Sequence, residues 1–193
     1  MPRTKAFEPE AALHEAMELF WRKGYGATSM RDLLDAMHVG RGSFYDTFGD
    51  KHTVFLAALD RFEKIRTSWI IEALESPGPP LESIRQIFGR TVDNLVQFEP
   101  RRGCLLANTA VELAPHDPEV AKKISAYIRR TESAFAKALD RAKDVGDIPN
   151  DRDTKALARF LVSNLHGLRV MARAGEDRAS LDDIVETIIG ALR

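Results

Sequence analysis

Residues 28–51 read TSMRDLLDAMHVGRGSFYDTFGDK, and the reading of this stretch decides the fold. Ser29 is a helix N-cap, and Asp32 three residues on completes a shortened capping box. Met30, Leu33, Leu34 and Met37 then recur at i, i+3, i+4, i+7, one apolar stripe. The pattern breaks at His38-Val39-Gly40, where glycine permits a turn. A second short helix starts at about Arg41, with Phe44 and Phe48 four apart on its buried side. Its other face carries Arg41, Gly42, Ser43, Tyr45, Asp46 and Thr47, which offer nothing apolar to bury. Two helices around a tight turn, the second presenting such a face, describe a DNA-binding helix-turn-helix.

That face carries the chemistry. Gly42 and Ser43 occupy positions where better helix formers would be more stable, and small residues allow close approach to a sugar-phosphate backbone or a base edge. Arg41 can fork onto guanine O6/N7 or clamp a phosphate, and Asp46 can accept from cytosine N4. Tyr45 can donate to phosphate. Thr28, Ser29 and Lys51 stand at helix starts, where backbone N–H groups and the helix dipole favour phosphate. Arg31, Gly40 and His52 complete the candidate DNA-binding set.

The run VGRGSFYDTFGDK, preceded by ATSMRDLLDAMH, resembles the DNA-binding domain of the TetR family of bacterial regulators. Thr28, Val39, Arg41-Gly42, Ser43, Phe44-Tyr45, Phe48 and Lys51 carry the resemblance, which covers about the first quarter of the chain. The family pattern more often has an aromatic where Asp46 stands and His where Thr47 stands. The resemblance implies a homodimeric repressor that binds a palindromic operator and is released by a small-molecule effector.

Elsewhere the chain of 193 residues looks all-α, with about nine helices. Residues 1–52 are expected to form the helix-turn-helix domain and 53–193 a ligand-binding and dimerisation domain. A flexible arm with Arg3 and Lys5 leads into a first helix that ends at Gly24. Asp50 caps a long fourth helix whose stripe is Val54, Ala58, Phe62, Ile65 and Trp69. Further helices are expected over 81–98, 104–113 and 117–145, then from Asp151 or Asp153 to Ala174, and from a Ser180 cap to Leu192. The last two, about 153–174 and 180–192, are apolar over wide arcs: Leu157, Phe160, Leu161, Leu165 and Met171 in one, Ile184, Val185, Ile188 and Ile189 in the other. Such helices are either core or partner-facing, and a palindrome reader needs a two-fold partner.

Net charge is −1, and the first 52 residues hold seven basic and eight acidic side chains. Totals do not advertise nucleic acid, so a narrow positive face with salt-sensitive affinity is expected. No apolar run is long enough to span a membrane and no signal-peptide core is present, which suits the cytoplasm. The five histidines show no metal-ligand spacing and no nucleophile-base signature occurs, so neither metal, cofactor nor enzymatic activity is expected. An effector pocket would have walls drawn from Trp69, Phe88, Phe98, Phe135, Phe160 and Met171, all equally readable as core, with Asn108, Asn164, His166 and Arg169 as orienting groups. Cys104, the one thiol, follows Arg101 and Arg102 and opens a helix. It reads either as a small packing residue or as an effector or redox sensor, a use some members of the family make of a cysteine. Two rival readings stay open: an all-helical enzyme or carrier with an incidental helix-turn-helix, and an architectural DNA binder without ligand.

Overall fold

The computed structural model describes residues 7–97 and 102–193. Arg3, Lys5, Phe98 and Arg101 therefore lie outside the described residues. Among the described residues there is no strand, and the nine expected helices are present as ten, the fourth being divided in two. They are α1 (Pro9–Lys23), α2 (Met30–Met37), α3 (Arg41–Phe48), α4 (Lys51–Phe62), α5 (Ser68–Glu75), α6 (Pro80–Gln97), α7 (Leu105–Glu112), α8 (Pro118–Asp144), α9 (Thr154–Ala174) and α10 (Arg178–Gly190). The expected fourth helix appears as α4 and α5 because a π-helical turn, Glu63–Thr67, separates them.

That turn changes the register. A π turn inserts one extra residue, which rotates everything after it by about 100° relative to the α-helical pattern. The stripe Val54, Ala58, Phe62 is buried as expected, but Ile65 is 43% exposed. The buried positions resume at Thr67, Ile70 and Leu74.

Contacts divide the chain into two compact units. The first holds the residues up to Arg66 together with Leu105–Lys122, and the second holds Thr67–Cys104 with Lys123–Arg193. Packing thus groups α4, α7 and the start of α8 with the helix-turn-helix.

In the first unit α1 lies along α4. Phe20 meets Phe55 edge to face at 5.0 Å, and Trp21 meets Phe62 in the same way at 5.0 Å. Tyr25 closes the cluster 4.8 Å from Phe55. Offset and edge-on pairs of this kind add stabilisation beyond the area they bury. Arg61 reaches Glu10 at 2.5 Å across the same pair of helices.

In the second unit α6, α8, α9 and α10 enclose one apolar core, with Phe88 and Phe135 fully buried. Asp153 caps α9 by accepting from the N–H groups of Lys155 and Ala156, and Asp117 caps α8 through Glu119 and Val120. The cap of α10 is Asp177, not Ser180, whose own N–H donates to the Asp177 carboxylate at 2.8 Å. Val185, Ile188, Ile189 and Leu192 are buried within this unit, so α10 turns Asp183, Glu186 and Thr187 outward. On α9 the exposed residues include Ala156, Phe160, Ser163, Gly167, Val170 and Met171, flanked by the exposed basic side chains Lys155, Arg159 and Arg173. Phe160 and Met171 are 38% and 39% exposed, which removes them from the expected walls of an internal pocket.

The π-turn register makes a direct claim on stability. Ile70→Ala is expected to cost about 2–5 kcal/mol, whereas Ile65→Ala is expected to stay within about 0.5 kcal/mol. Urea unfolding of the two variants checks this, and equal losses would mean that the helix runs on without the inserted residue.

Candidate nucleic-acid interface

The helix-turn-helix is assembled from local bonds. Ser29 Oγ accepts from the Asp32 N–H at 3.1 Å, and the Asp32 carboxylate accepts from the Ser29 N–H at 2.9 Å. This is the expected capping box. Asp32 also receives the Lys23 ammonium at 2.7 Å, and the Lys23 and Ser29 hydrogen bonds together hold its carboxyl well below the usual range. The residue that reverses the chain is His38, with φ 54° and ψ 41°, and not Gly40, whose φ is −66°. The Val39 N–H then bonds Leu34 O, which closes the end of α2. Gly40 is an extended N-cap for α3. Gly49, at φ 82°, ends α3 in a conformation that glycine adopts without cost.

On α3 Phe44 is fully buried, and Arg41, Gly42, Ser43, Tyr45 and Asp46 are exposed with Thr47 half-buried. Tyr45 is 46% exposed and stands edge-on against Phe44, their centroids 5.4 Å apart, so a buried ring steadies an outward phenol. A Cβ added at Gly40 or Gly42 would meet nothing within 4 Å. The protein's own packing therefore gives no reason for either position to be small. Arg31 is 92% exposed and lies 3.7 Å from Asp35. A solvated pair at that distance is weak and leaves the guanidinium able to exchange partners.

Three sequence-stretch candidates face inward instead. Thr28 is 1% exposed, and its hydroxyl donates to Gly24 O at 2.6 Å, so its side chain holds the turn after α1 rather than a phosphate. Lys51 donates to Tyr25 O at 2.7 Å and sits 4.1 Å over the Tyr25 ring. Burial pulls its ammonium below the ordinary lysine value. His52 places Nε2 2.7 Å from Asp117, so that nitrogen has a partner within the chain. The Asp117 carboxyl lies below its usual value, chiefly through the Val120 N–H it caps.

These inward groups belong to a frame that sequence reasoning missed. Glu112, at the end of α7, accepts from the Gly26 N–H at 2.7 Å and the Tyr25 N–H at 3.2 Å. Its oxygen would also lie 3.0 Å from a Cβ at Gly24. The loop between α1 and α2 is thus clasped by a carboxylate from a distant helix. No local pattern announces such a bond, because the partners are 86 and 87 residues apart.

The second unit answers for the effector candidates. Asn164 donates to Phe160 O at 2.8 Å and so serves its own helix. Cys104 is 3% exposed, which withholds its sulfur from reagents in solution. Arg169 is 7% exposed and Tyr127, a residue not singled out from sequence, is 4% exposed. Tyr127 and His166 approach with centroids 6.3 Å apart, and Tyr127 Oη and His166 Nδ1 are buried with no hydrogen-bond partner among the described residues. Burial, with the Arg169 charge second, lowers the His166 pKa from 6.5 to about 4. Burial raises the Tyr127 phenol, against the opposing charge of Arg169. Among the described residues no group of three His, Cys, Asp or Glu is placed to hold a metal ion.

A neutral interior His166 has a sign that can be measured. The unfolded chain takes up a proton below pH 6.5, while the folded chain resists until about pH 4. Stability is therefore lost as pH falls through this window, by about 2 kcal/mol at pH 5. Urea unfolding at pH 7 and pH 5 should show that slope, and His166→Gln should flatten it.

Two family models match the chain: "Bacterial regulatory proteins, tetR family" over residues 12–58, and "Tetracyclin repressor-like, C-terminal domain" over residues 80–188. The HTH-type transcriptional regulator YezE of Bacillus subtilis is 37% identical over 193 residues, all of both chains. The HTH-type transcriptional repressor ComR of Escherichia coli is 27% identical, over 97% of this chain and 90% of its own. Among solved structures, a cysteine mutant of the TetR family regulator CifR, complexed with 26-base-pair operator DNA, superposes with a TM-score of 0.89 at 29% identity. That match covers 99% of this chain and 100% of the other. The exposed polar face of α3, the capped helix pair that carries it and these matches lead to one conclusion: the chain belongs to the TetR family and is a DNA-binding transcriptional regulator.

Proposed function

We propose that this protein is a homodimeric repressor whose α3 enters the major groove of a palindromic operator and leaves it when a small molecule binds the second unit. The observation that carries the reading is the face of α3. Gly42 sits in a helix with open space around it, so its smallness serves a surface that arrives from outside. Arg41, Ser43, Tyr45, Asp46 and Thr47 read bases or hold phosphates, Arg31 adds a phosphate contact from α2, and Ser29 and Gly40 allow the backbone to come close. Residues 1–52 then supply recognition and 53–193 supply effector binding and dimerisation. The protein acts in the cytoplasm and has no catalytic role. Among its described residues no helix is long and apolar enough to cross a membrane. The operator complex and the names of the related regulators support the same reading.

The dimer forms through α9 and α10 packing on the same helices of a second copy. The exposed Phe160, Val170 and Met171 of α9 supply the apolar centre, and the basic side chains of α9 with the outward side of α10 a polar margin. Two copies set the recognition helices about 34–36 Å apart, one turn of duplex. Effector binding favours a conformer in which this spacing is lost. Covalent continuity gives the route: Cys104 is the last residue before α7, and α7 ends at Glu112, which clasps the loop before α2.

Fluorescence anisotropy with DNA from the flanking intergenic region tests the recognition face. Arg41→Ala should weaken binding by about 1–3 kcal/mol without lowering the unfolding midpoint. Gly42→Ala should leave folding unchanged or slightly improved, by up to about 0.5 kcal/mol, while weakening the operator complex. Unchanged operator affinity in both variants at physiological salt would remove α3 from the interface. For the dimer, Phe160→Glu should yield monomers in sedimentation with the helical signal intact. Leu165→Arg, at a side chain that is fully buried, should instead unfold the chain.

A further inference from the structure

We infer that Glu112 is a positioning residue for operator recognition: from the end of α7 its carboxylate holds the loop between α1 and α2, and so sets where α2 and α3 stand against the duplex. The inference rests on the reading of α3 as the recognition helix and adds to it a residue that itself meets no DNA.

Glu112, Tyr25, Gly26 and Lys51 all lie in the first unit. The backbone around Tyr25 is gripped from two sides. On one side the Glu112 carboxylate accepts from the Gly26 N–H at 2.7 Å and the Tyr25 N–H at 3.2 Å. On the other the Lys51 ammonium donates to Tyr25 O at 2.7 Å. The two charges sense each other, since Glu112 opposes the fall that burial imposes on the Lys51 pKa. Adjacent N–H groups that converge on one carboxylate make an anion-binding concavity, and here a side chain of the same chain fills it. Ser29, the cap of α2, is three residues beyond Gly26. The helix buries Leu33 and Met37 but exposes Ser29 and Arg31 at its start. That start takes its place from the loop before it and from the Lys23–Asp32 pair.

Two departures from local preference mark the clasp as built. Glu112 is the last residue of α7, where the helix dipole disfavours an acid and favours a cation. The last turn of α7 holds no basic residue to offset it. A carboxylate in that place costs α7 and serves the loop. The second departure is Gly26, which has no positive φ to demand a glycine. Chain neighbours aside, the one heavy atom within 4 Å of a Cβ built there is Glu112 Oε1, at 3.2 Å. Among the described residues, smallness at position 26 is therefore required by this carboxylate alone. Gly42 offers the contrast, because no atom of the chain crowds a Cβ there. One glycine makes room for a partner outside the chain and the other for a partner within it.

Anisotropy of the full-length protein with the same intergenic DNA tests this, each variant being shown folded by circular dichroism. Glu112→Ala should weaken the complex about tenfold, and Glu112→Gln, which keeps one acceptor oxygen, should fall between it and the unaltered protein. Hydrogen exchange should show the Tyr25 and Gly26 amides opening faster in Glu112→Ala. Gly26→Ala, whose Cβ displaces the carboxylate, should weaken binding about tenfold by itself but add less than about twofold when combined with Glu112→Ala. A residue that only stabilised the unit would lower the urea midpoint and show no such coupling. A loss below about threefold in Glu112→Ala, unchanged exchange at Tyr25 and Gly26, or full independent losses in the double variant would each overturn the assignment. Arg41→Ala in the same titration keeps the two readings apart. A loss there with none in Glu112→Ala overturns the clasp and upholds the α3 face, whereas unchanged affinity in both Arg41→Ala and Gly42→Ala overturns the face on which the clasp depends.

Discussion

A helix of eight residues with one fully buried side chain cannot hold itself in place. Isolated helices of that length are marginal in water, and α3 contributes Phe44 as its single fully buried residue. Everything that lets α3 present a precise surface must therefore come from its neighbours. The capping box fixes the start of α2, His38 in the left-handed region fixes its end, and the aromatic cluster of α1 and α4 supplies the wall. The charged groups of this unit do comparable service. Lys23 and Asp32 join α1 to α2, Lys51 joins the start of α4 to Tyr25, and His52 joins it to Asp117.

The clasp by Glu112 gives that frame a second character. A carboxylate that accepts from two backbone N–H groups is a strong, directional tie. It originates on α7, whose chain has just come from the second unit. The chain passes between the units at three points: inside the π turn, before α7 and near the start of α8. Two of these bracket the segment that bears both Glu112 and Asp117. The π turn is itself a break in regular α-helical bonding.

The sequence was most legible where the determinants are local. The caps at Ser29 and Asp50 and the outward face of α3 all follow from residues close to each other along the chain. Illegibility began where a partner was remote. Lys51 and His52 carry the residue types of a phosphate contact, and only the tertiary positions of Tyr25 and Asp117 show that they point inward. The π turn has no residue signature at all, and one inserted residue sufficed to turn Ile65 from an expected core position to an exposed one. His38 was misread for a different reason. Propensity credits the turn to the nearby glycine, yet the bonds from the His38 and Val39 N–H groups to the end of α2 place the left-handed residue two positions earlier.

What separates frame from function in this molecule is whether a polar group's needs are met within the chain. Asp32, Lys51, His52 and Glu112 are polar, lie near the recognition helix and have close intrachain partners, so their chemistry is to hold. Arg41, Ser43 and Tyr45 are of the same residue classes but face solvent on a helix whose glycine no packing demands. The same test applied to the second unit picks out His166, whose Nδ1 is buried with no hydrogen-bond partner among the described residues, because burial without a partner is expensive. Asn164 shows that the test discriminates. It lies two residues before His166 and looks equally ligand-ready in sequence, yet its amide is already bonded to Phe160 O. A regulator needs both classes of group. Satisfied ones make one conformer definite enough to read a duplex, and unsatisfied ones give an incoming molecule a free-energy difference with which to favour another conformer.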